Sequence, residues 1–167
     1  MPNYLNKEIL VLGCGNILFG DDGFGYTVIN ELNKMKENNP ILNSNKIELI
    51  DAGTGASHFI LSLIDENTPI RKIVIVDAID YGLKAGELIK LYPKDLPEIE
   101  KYQADAHNMP LAGMLNELSE NYNIDIVVIG CQIKNMPAPD ICLELSEEVK
   151  KSVDKAVNMV LDELAVE

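Results

Sequence analysis

Apolar runs alternate with amphipathic stretches along the whole chain. The run EILVLGC (8–14) reads as a buried strand. FGYTVINELNKM (24–35) places apolar residues at 24, 28, 29, 32 and 35, the spacing of one helical face. KIELIDA (46–52) reads as a second strand and SHFILSLID (57–65) as a short helix. RKIVIVDAI (71–79) carries four β-branched residues in succession from Ile73 and is the strongest strand signal. AGELIKLYP (85–93) alternates apolar and polar positions, as a strand with one exposed face does. The loop before it is too short for a crossover helix, so this fourth strand is expected to run antiparallel to the others. Pro110 opens a helix with Leu111, Leu115, Leu118 and Tyr122 on its inner face. IDIVVIGCQI (124–133) is a central strand. Ser146 caps a last helix, with Glu147 and Glu148 in its first turn and Val149, Val153, Val157, Val160, Leu161 and Leu164 facing inward.

The pattern predicts an α/β fold: a single three-layer α/β/α domain over residues 1–167, with five mostly parallel strands and strand four antiparallel. No repeat, linker or low-complexity segment interrupts it. In open sheets of this kind ligands bind in the crevice beyond the carboxyl ends of the strands. Those ends are acidic. Strand one runs into LGCGNILFGDDGFG (12–25), with Asp21 and Asp22; strand two ends at Asp51 in DAGTGA; strand three ends in DAID, with Asp77 and Asp80. The segment before the Pro110 helix holds DAHN, with Asp105 and His107.

Such a set repels phosphate. The dinucleotide fingerprint also fails, because Gly13 and Gly15 fit the first two glycines of GxGxxG but Leu18 holds the third place. Asp51 still fits a ribose, which keeps a nucleotide-binding α/β enzyme as an alternative. Converging Asp, Asp and His suit a divalent metal such as zinc or nickel. Of the two histidines, His58 falls inside a helical stretch and reads as a packing or surface residue, whereas His107 stands in a loop beside Asp105. One of the paired aspartates is expected to cap the helix that begins near Gly23, with capping assigned to Asp21 and ligation to Asp22. Asp51 has its own local reading, holding the GTGA turn through backbone bonds.

Charge and cysteine usage narrow the partners. The chain carries a formal charge of −13, from 27 acidic and 14 basic side chains, which disfavours nucleic acid and anionic membranes. No apolar run approaches the roughly 20 residues of a membrane span, and the first ten residues lack a signal-peptide pattern, so a cytoplasmic protein is expected. Three widely spaced cysteines, Cys14, Cys131 and Cys142, indicate neither a disulfide framework nor a thiolate zinc site. Cys14 and Cys131 end apolar strands and read as buried packing.

At these motifs the chain resembles the nickel–iron hydrogenase maturation endopeptidases. The likeness runs through ILVLGCGNILFGDDGFG, IELIDAGTGA, IVIVDAID and HNMPLAGML in order and spacing. It implies a phosphorylase/hydrolase-like three-layer fold and an enzyme that trims the C-terminal extension of a hydrogenase large-subunit precursor after nickel insertion. The family's metal-contacting positions fall by motif on Asp22, Asp77 and His107. The resemblance further implies that nickel arrives with the substrate, with zinc or cadmium able to substitute and no organic cofactor. Two features depart from the commoner pattern: Cys14 between the glycines, and DAHN in place of a Ser- or Thr-containing approach to the histidine. Both are similar to the branch serving the deazaflavin-reducing hydrogenase of methanogenic archaea. The glycines of the first loop, together with Asn16, Gly53, Thr54 and Gly55, are expected to let a bulky partner approach the backbone. A non-catalytic hydrogenase assembly subunit is the other alternative.

Overall fold

The computed structural model describes residues 6–63, 65, 67–95, 111–134 and 140–165. The elements are β1 (Ile9–Cys14), α1 (Phe24–Met35), β2 (Ile47–Gly53), α2 (Ala56–Leu63), β3 (Lys72–Ile79), β4 (Leu88–Leu91), α3 (Leu111–Asn121), β5 (Asp125–Gln132), α4 (Glu147–Lys150) and α5 (Val153–Ala165). One sheet has the order β2-β1-β3-β5-β4. The pairs β1–β2, β1–β3 and β3–β5 are parallel, and β4 runs antiparallel to β5, as the short loop before it requires.

Successive strand residues point to opposite faces, and both faces are covered. Ile9, Val11, Val74, Val76, Val127 and Ile129 pack under α1 and α5. Leu10, Leu12, Ile73, Ile75, Ile126 and Val128 pack under α2 and α3. That arrangement explains why β1, β3 and β5 read as nearly continuous apolar runs.

The structure departs from the pattern in three places. The expected 85–93 strand shortens to Leu88–Leu91 at the border of the sheet, with Gly86 and Glu87 still bonded through their backbone to Gln132. Tyr122 is exposed rather than inward, since α3 ends at Asn121. The last helix is interrupted at 151–152. There the Ser152 hydroxyl donates to the Gly86 carbonyl, tying the β3–β4 loop to the break. Gly86 has φ +86, and a Cβ on it would collide with the Glu148 carbonyl. No helix among the described residues is long and apolar enough to cross a membrane.

At the opposite end of the sheet from the acidic loops, Lys72 is buried at the start of β3. Its Nζ donates to the Glu163 carbonyl at 2.8 Å and pairs with the Glu163 and Asp125 carboxylates at 3.3 and 3.5 Å. A cation at the last carbonyls of α5 complements the helix dipole. Burial tends to raise the Glu163 carboxyl, but the Lys90 hydrogen bond at 2.7 Å and the Lys72 charge outweigh it and leave the group below its ordinary value. A lowered carboxyl stabilises the fold above the ordinary value of 4.5, and that stabilisation is lost as pH falls through the lowered one. Glu163→Gln is therefore expected to cost about 1 kcal/mol at neutral pH. The melting-temperature gap to wild type should close as the buffer is taken well below 4.5; a gap independent of pH would refute the linkage.

Candidate active site

The strand order reverses direction between β1 and β3. From β1 the chain passes through α1 to β2 on one side, and from β3 it passes towards β4 and β5 on the other. In open sheets of this kind, loops leaving two such strands part at the point of reversal, and ligands bind between them at the carboxyl ends. Register places Gly13 beside both Asp51 of β2 and Val76 of β3, with a bulge between Gly13 and Cys14. Asp77 is the next residue of β3.

Three carboxylates, one from the loop after β1 and two from the ends of β2 and β3, act on one thiol there. Cys14 is buried, and its thiol is held well above its ordinary value, first by burial and then by the charges of Asp77, Asp51 and Asp22. A thiol so placed stays protonated at neutral pH and is no nucleophile. Asp22 and Asp77 are 3% and 5% exposed, whereas Asp51 is exposed. Asp51 Oδ1 accepts from the Gly53 N–H at 3.2 Å, the local turn expected of it. Asp77 Oδ1 accepts from the Ala78 N–H at 2.8 Å.

The loop after β1 is shaped by its own polar groups. The Asn16 N–H donates to Asp22 Oδ2 at 2.8 Å, while Asn16 Oδ1 accepts from the Leu18 N–H at 2.9 Å. The chain then enters a 3-10 turn, Gly20–Gly23, that leads straight into α1. The N-cap of α1 is Gly23, which has no side-chain hydrogen bond. Asp21 does not cap this helix.

Its carboxylate instead reaches across the fold. Asp21, 2% exposed, accepts from the Lys134 N–H at 2.8 Å, the Ser146 N–H at 2.6 Å and the Ser146 hydroxyl at 2.9 Å. One acidic side chain thus joins the β1 loop, the segment after β5 and the start of α4. Ser146 serves as the expected cap as well, accepting from the Val149 N–H at 3.4 Å. The capping expectation failed because Asp21's partners lie 113 and 125 residues away.

The glycines divide into two groups. A Cβ on Gly13 would strike the Gly25 carbonyl, and one on Gly25 would lie 2.6 Å from both the Cys14 nitrogen and the Val76 oxygen. These two let the first turn of α1 lie directly on β1 and β3, so the close approach is made by the chain itself. Gly15 (φ +112) leaves room for Asp22, whose carbonyl a Cβ would meet. Gly23 has Ile17 as its neighbour. Gly53 (φ +57) has nothing within 4 Å, and Gly55 only the Ala52 oxygen at 3.8 Å. With exposed Thr54, that second loop keeps an open surface.

Beyond β3, Gln132 organises the wall of the crevice. Its amide oxygen accepts from the Tyr81 and Leu83 N–H groups at 2.8 and 3.1 Å, and its nitrogen donates to Asp80 Oδ1 and the Ile133 carbonyl at 3.1 and 3.0 Å. All four sites of the side chain are used. His58 is exposed on α2. Asp105, His107 and Pro110 lie outside the described residues. Among the described residues, no three His, Cys, Asp or Glu side chains group so as to hold a metal ion.

The model of the hydrogenase maturation protease family matches residues 26–163. A candidate hydrogenase maturation protease of Methanocaldococcus jannaschii is 49% identical over 158 residues, spanning 95% of this chain and 97% of that one. The coenzyme F-420 hydrogenase subunit delta of Methanothermobacter thermautotrophicus is 42% identical over 162 residues, spanning 96% and 97%. The crystal structure of a nickel–iron hydrogenase maturation protease from Thermococcus kodakarensis aligns with a TM-score of 0.70 at 25% identity, over 95% of this chain and 93% of that one. The mixed five-stranded sheet is the fold of these proteases.

The Asp21 tie makes a prediction opposite to that of a cap. Asparagine caps a helix about as well as aspartate, but it offers one acceptor oxygen where three donors here use two. Asp21→Asn should therefore lose roughly 1–3 kcal/mol, a fall of several degrees in melting temperature. An unchanged melting temperature would show that the carboxylate is not needed for the tie.

Proposed function

The chain belongs to the hydrogenase maturation protease family, and from that premise we propose that it removes the C-terminal extension of a nickel–iron hydrogenase large-subunit precursor after nickel has been inserted. One observation carries the reading: Asp22, from the loop after β1, and Asp77, from β3, are both nearly buried and both bear on the Cys14 thiol at the switch point of the sheet. Anionic oxygens brought together from two elements are ligands suited to a divalent ion. A divalent ion carried by the substrate fits that set. Asp22, Asp77 and His107 complete that ion's coordination from outside, and His107 enters this set by motif.

The reading makes the metal part of the substrate, so recognition and timing coincide. A precursor without nickel presents no cation to the two carboxylates and is not held for cleavage. With three ligands from the protease, positions remain for the scissile carbonyl or a water, and the ion polarises the peptide bond. The carboxylates then act as ligands; a metal-held carboxylate is a weak base because the cation lowers its affinity for protons. Cys14 takes no part, being held as a neutral thiol. Gly53, Thr54 and Gly55 form the open side along which the precursor reaches the crevice, while Gly15 and Asn16 shape the loop that presents Asp22.

The relative named as a subunit of coenzyme F-420 hydrogenase favours the precursor of that hydrogenase as the substrate. It also supports a second reading, a subunit that holds the large subunit without cutting it. Mass spectrometry of nickel-loaded and nickel-free precursor after incubation with the protein separates the two. The endopeptidase shortens only the nickel-loaded chain; a stable complex with the precursor intact supports the assembly subunit.

Within that assay, His107→Ala should lower processing by orders of magnitude, and His58→Ala should leave it within about twofold because His58 is exposed on α2. Equal processing by wild type and His107→Ala would place the chemistry elsewhere. The protein alone should bind nickel weakly and release it to chelator. Retention of stoichiometric nickel would overturn delivery by the substrate.

A further inference from the structure

We infer that residues 140–144 form a docking edge on which an extended segment of the precursor is laid down as an added strand. The inference rests on the reading that the precursor is the substrate and concerns how it is gripped. Phe19 and Cys142 form an isolated parallel bridge outside the main sheet. The Cys142 N–H donates to the Leu18 carbonyl at 2.8 Å, and the Gly20 N–H donates to the Cys142 carbonyl at 2.7 Å. In an extended chain, backbone groups of alternate residues point to opposite edges. Cys142 faces the β1 loop, so the N–H and C=O groups of Ile141 and Leu143 face away from it.

Among the described residues, those outer groups have no backbone partner. The side chains on the same two residues are among the most exposed large apolar groups of the described residues, Ile141 at 70% and Leu143 at 72%. Ile17 and Leu18, across the bridge, are exposed as well. An unpaired strand edge with bare apolar side chains is a hazard unless a partner covers it. Unpaired peptide groups select an extended polypeptide, and Ile141 and Leu143 select apolar residues at alternate positions of it.

Charge and position complete the identification. Asp140, Glu144 and Glu147 are exposed along this stretch of a chain whose formal charge is −13, so the fitting segment carries lysine or arginine beside its apolar residues. The bridge is only three residues from Asp22 in the same loop. Asp21 ties that loop to Ser146, just beyond the docking edge. A strand added here runs past the candidate active site and is positioned against it by the same carboxylate.

Binding and cleavage are read separately. Binding of fluorescently labelled, nickel-loaded large-subunit precursor is measured with wild-type protein by rapid mixing, before turnover; cleavage is measured on the same mixtures at longer times. Ile141→Ala/Leu143→Ala should weaken binding roughly tenfold or more and raise KM with kcat unchanged, without lowering the melting temperature. Leu143→Pro, which removes an outward N–H but keeps both Cys142 bonds, should weaken binding further. Added salt should weaken wild-type binding. Unchanged precursor affinity in the double alanine variant overturns the proposal, as does wild-type protein that binds no precursor. If the wild type self-associates and the double variant is monomeric with the same precursor affinity, the edge joins two copies and the proposal also fails. Binding that follows the prediction while no precursor is shortened upholds the docking edge and removes the protease reading alone.

Discussion

The acidic loop after β1 holds its form because Asp21 is turned into the fold. Two adjacent carboxylates at the start of a helix would ordinarily share the same environment. Here Asp21 is spent on Lys134 and Ser146, drawing the segment after β5 and the start of α4 against the loop. Asp22 is thereby left on the opposite side, where it accepts from Asn16 and lies near Cys14. The division of labour between the two aspartates is a consequence of packing, and it depends on groups more than a hundred residues apart.

A second constraint sets the depth of the site. Gly13 and Gly25 remove the side chains that would separate α1 from the strands, so the helix begins directly against β1 and β3. A helix start places positive partial charge at its first turn, and Asp21 and Asp22 lie just before it. The loop can therefore hold two buried carboxylates where most loops could not. Space and electrostatics have the same origin here. Both follow from glycine in the two places where the backbone must touch.

Much of this was legible in local pattern. Strand and helix positions followed from periodicity, because β1, β3 and β5 are covered on both faces and α1 on one. The antiparallel β4 followed from the length of its loop. The hydrogenase-protease family was legible in motifs whose order and spacing span most of the chain. Asp21 was not legible: its residue type and position match a cap, and its real partners come from Lys134 and Ser146. The Gly13–Gly25 contact was hidden in the same way, since an open glycine and one pressed against another segment look alike in sequence. Tyr122 continued the helical spacing of α3 but fell beyond its end, where periodicity carries no information.

The misreadings of Asp21 and of the Gly13–Gly25 contact share one cause. Local rules describe groups that satisfy themselves within a few residues, as Asn16 and Asp51 do. Asp21 and Gln132 are instead satisfied by distant segments, which no local rule describes, while Asp22 takes the Asn16 N–H of its own loop. Asp21 anchors the loop from behind. Gln132 does the same for the far wall, using every hydrogen-bonding site of its amide on the β3–β4 loop and the end of its own strand. The two anchors brace opposite sides of one opening from buried positions, leaving Asp51 and the Gly53–Gly55 turn as its exposed rim.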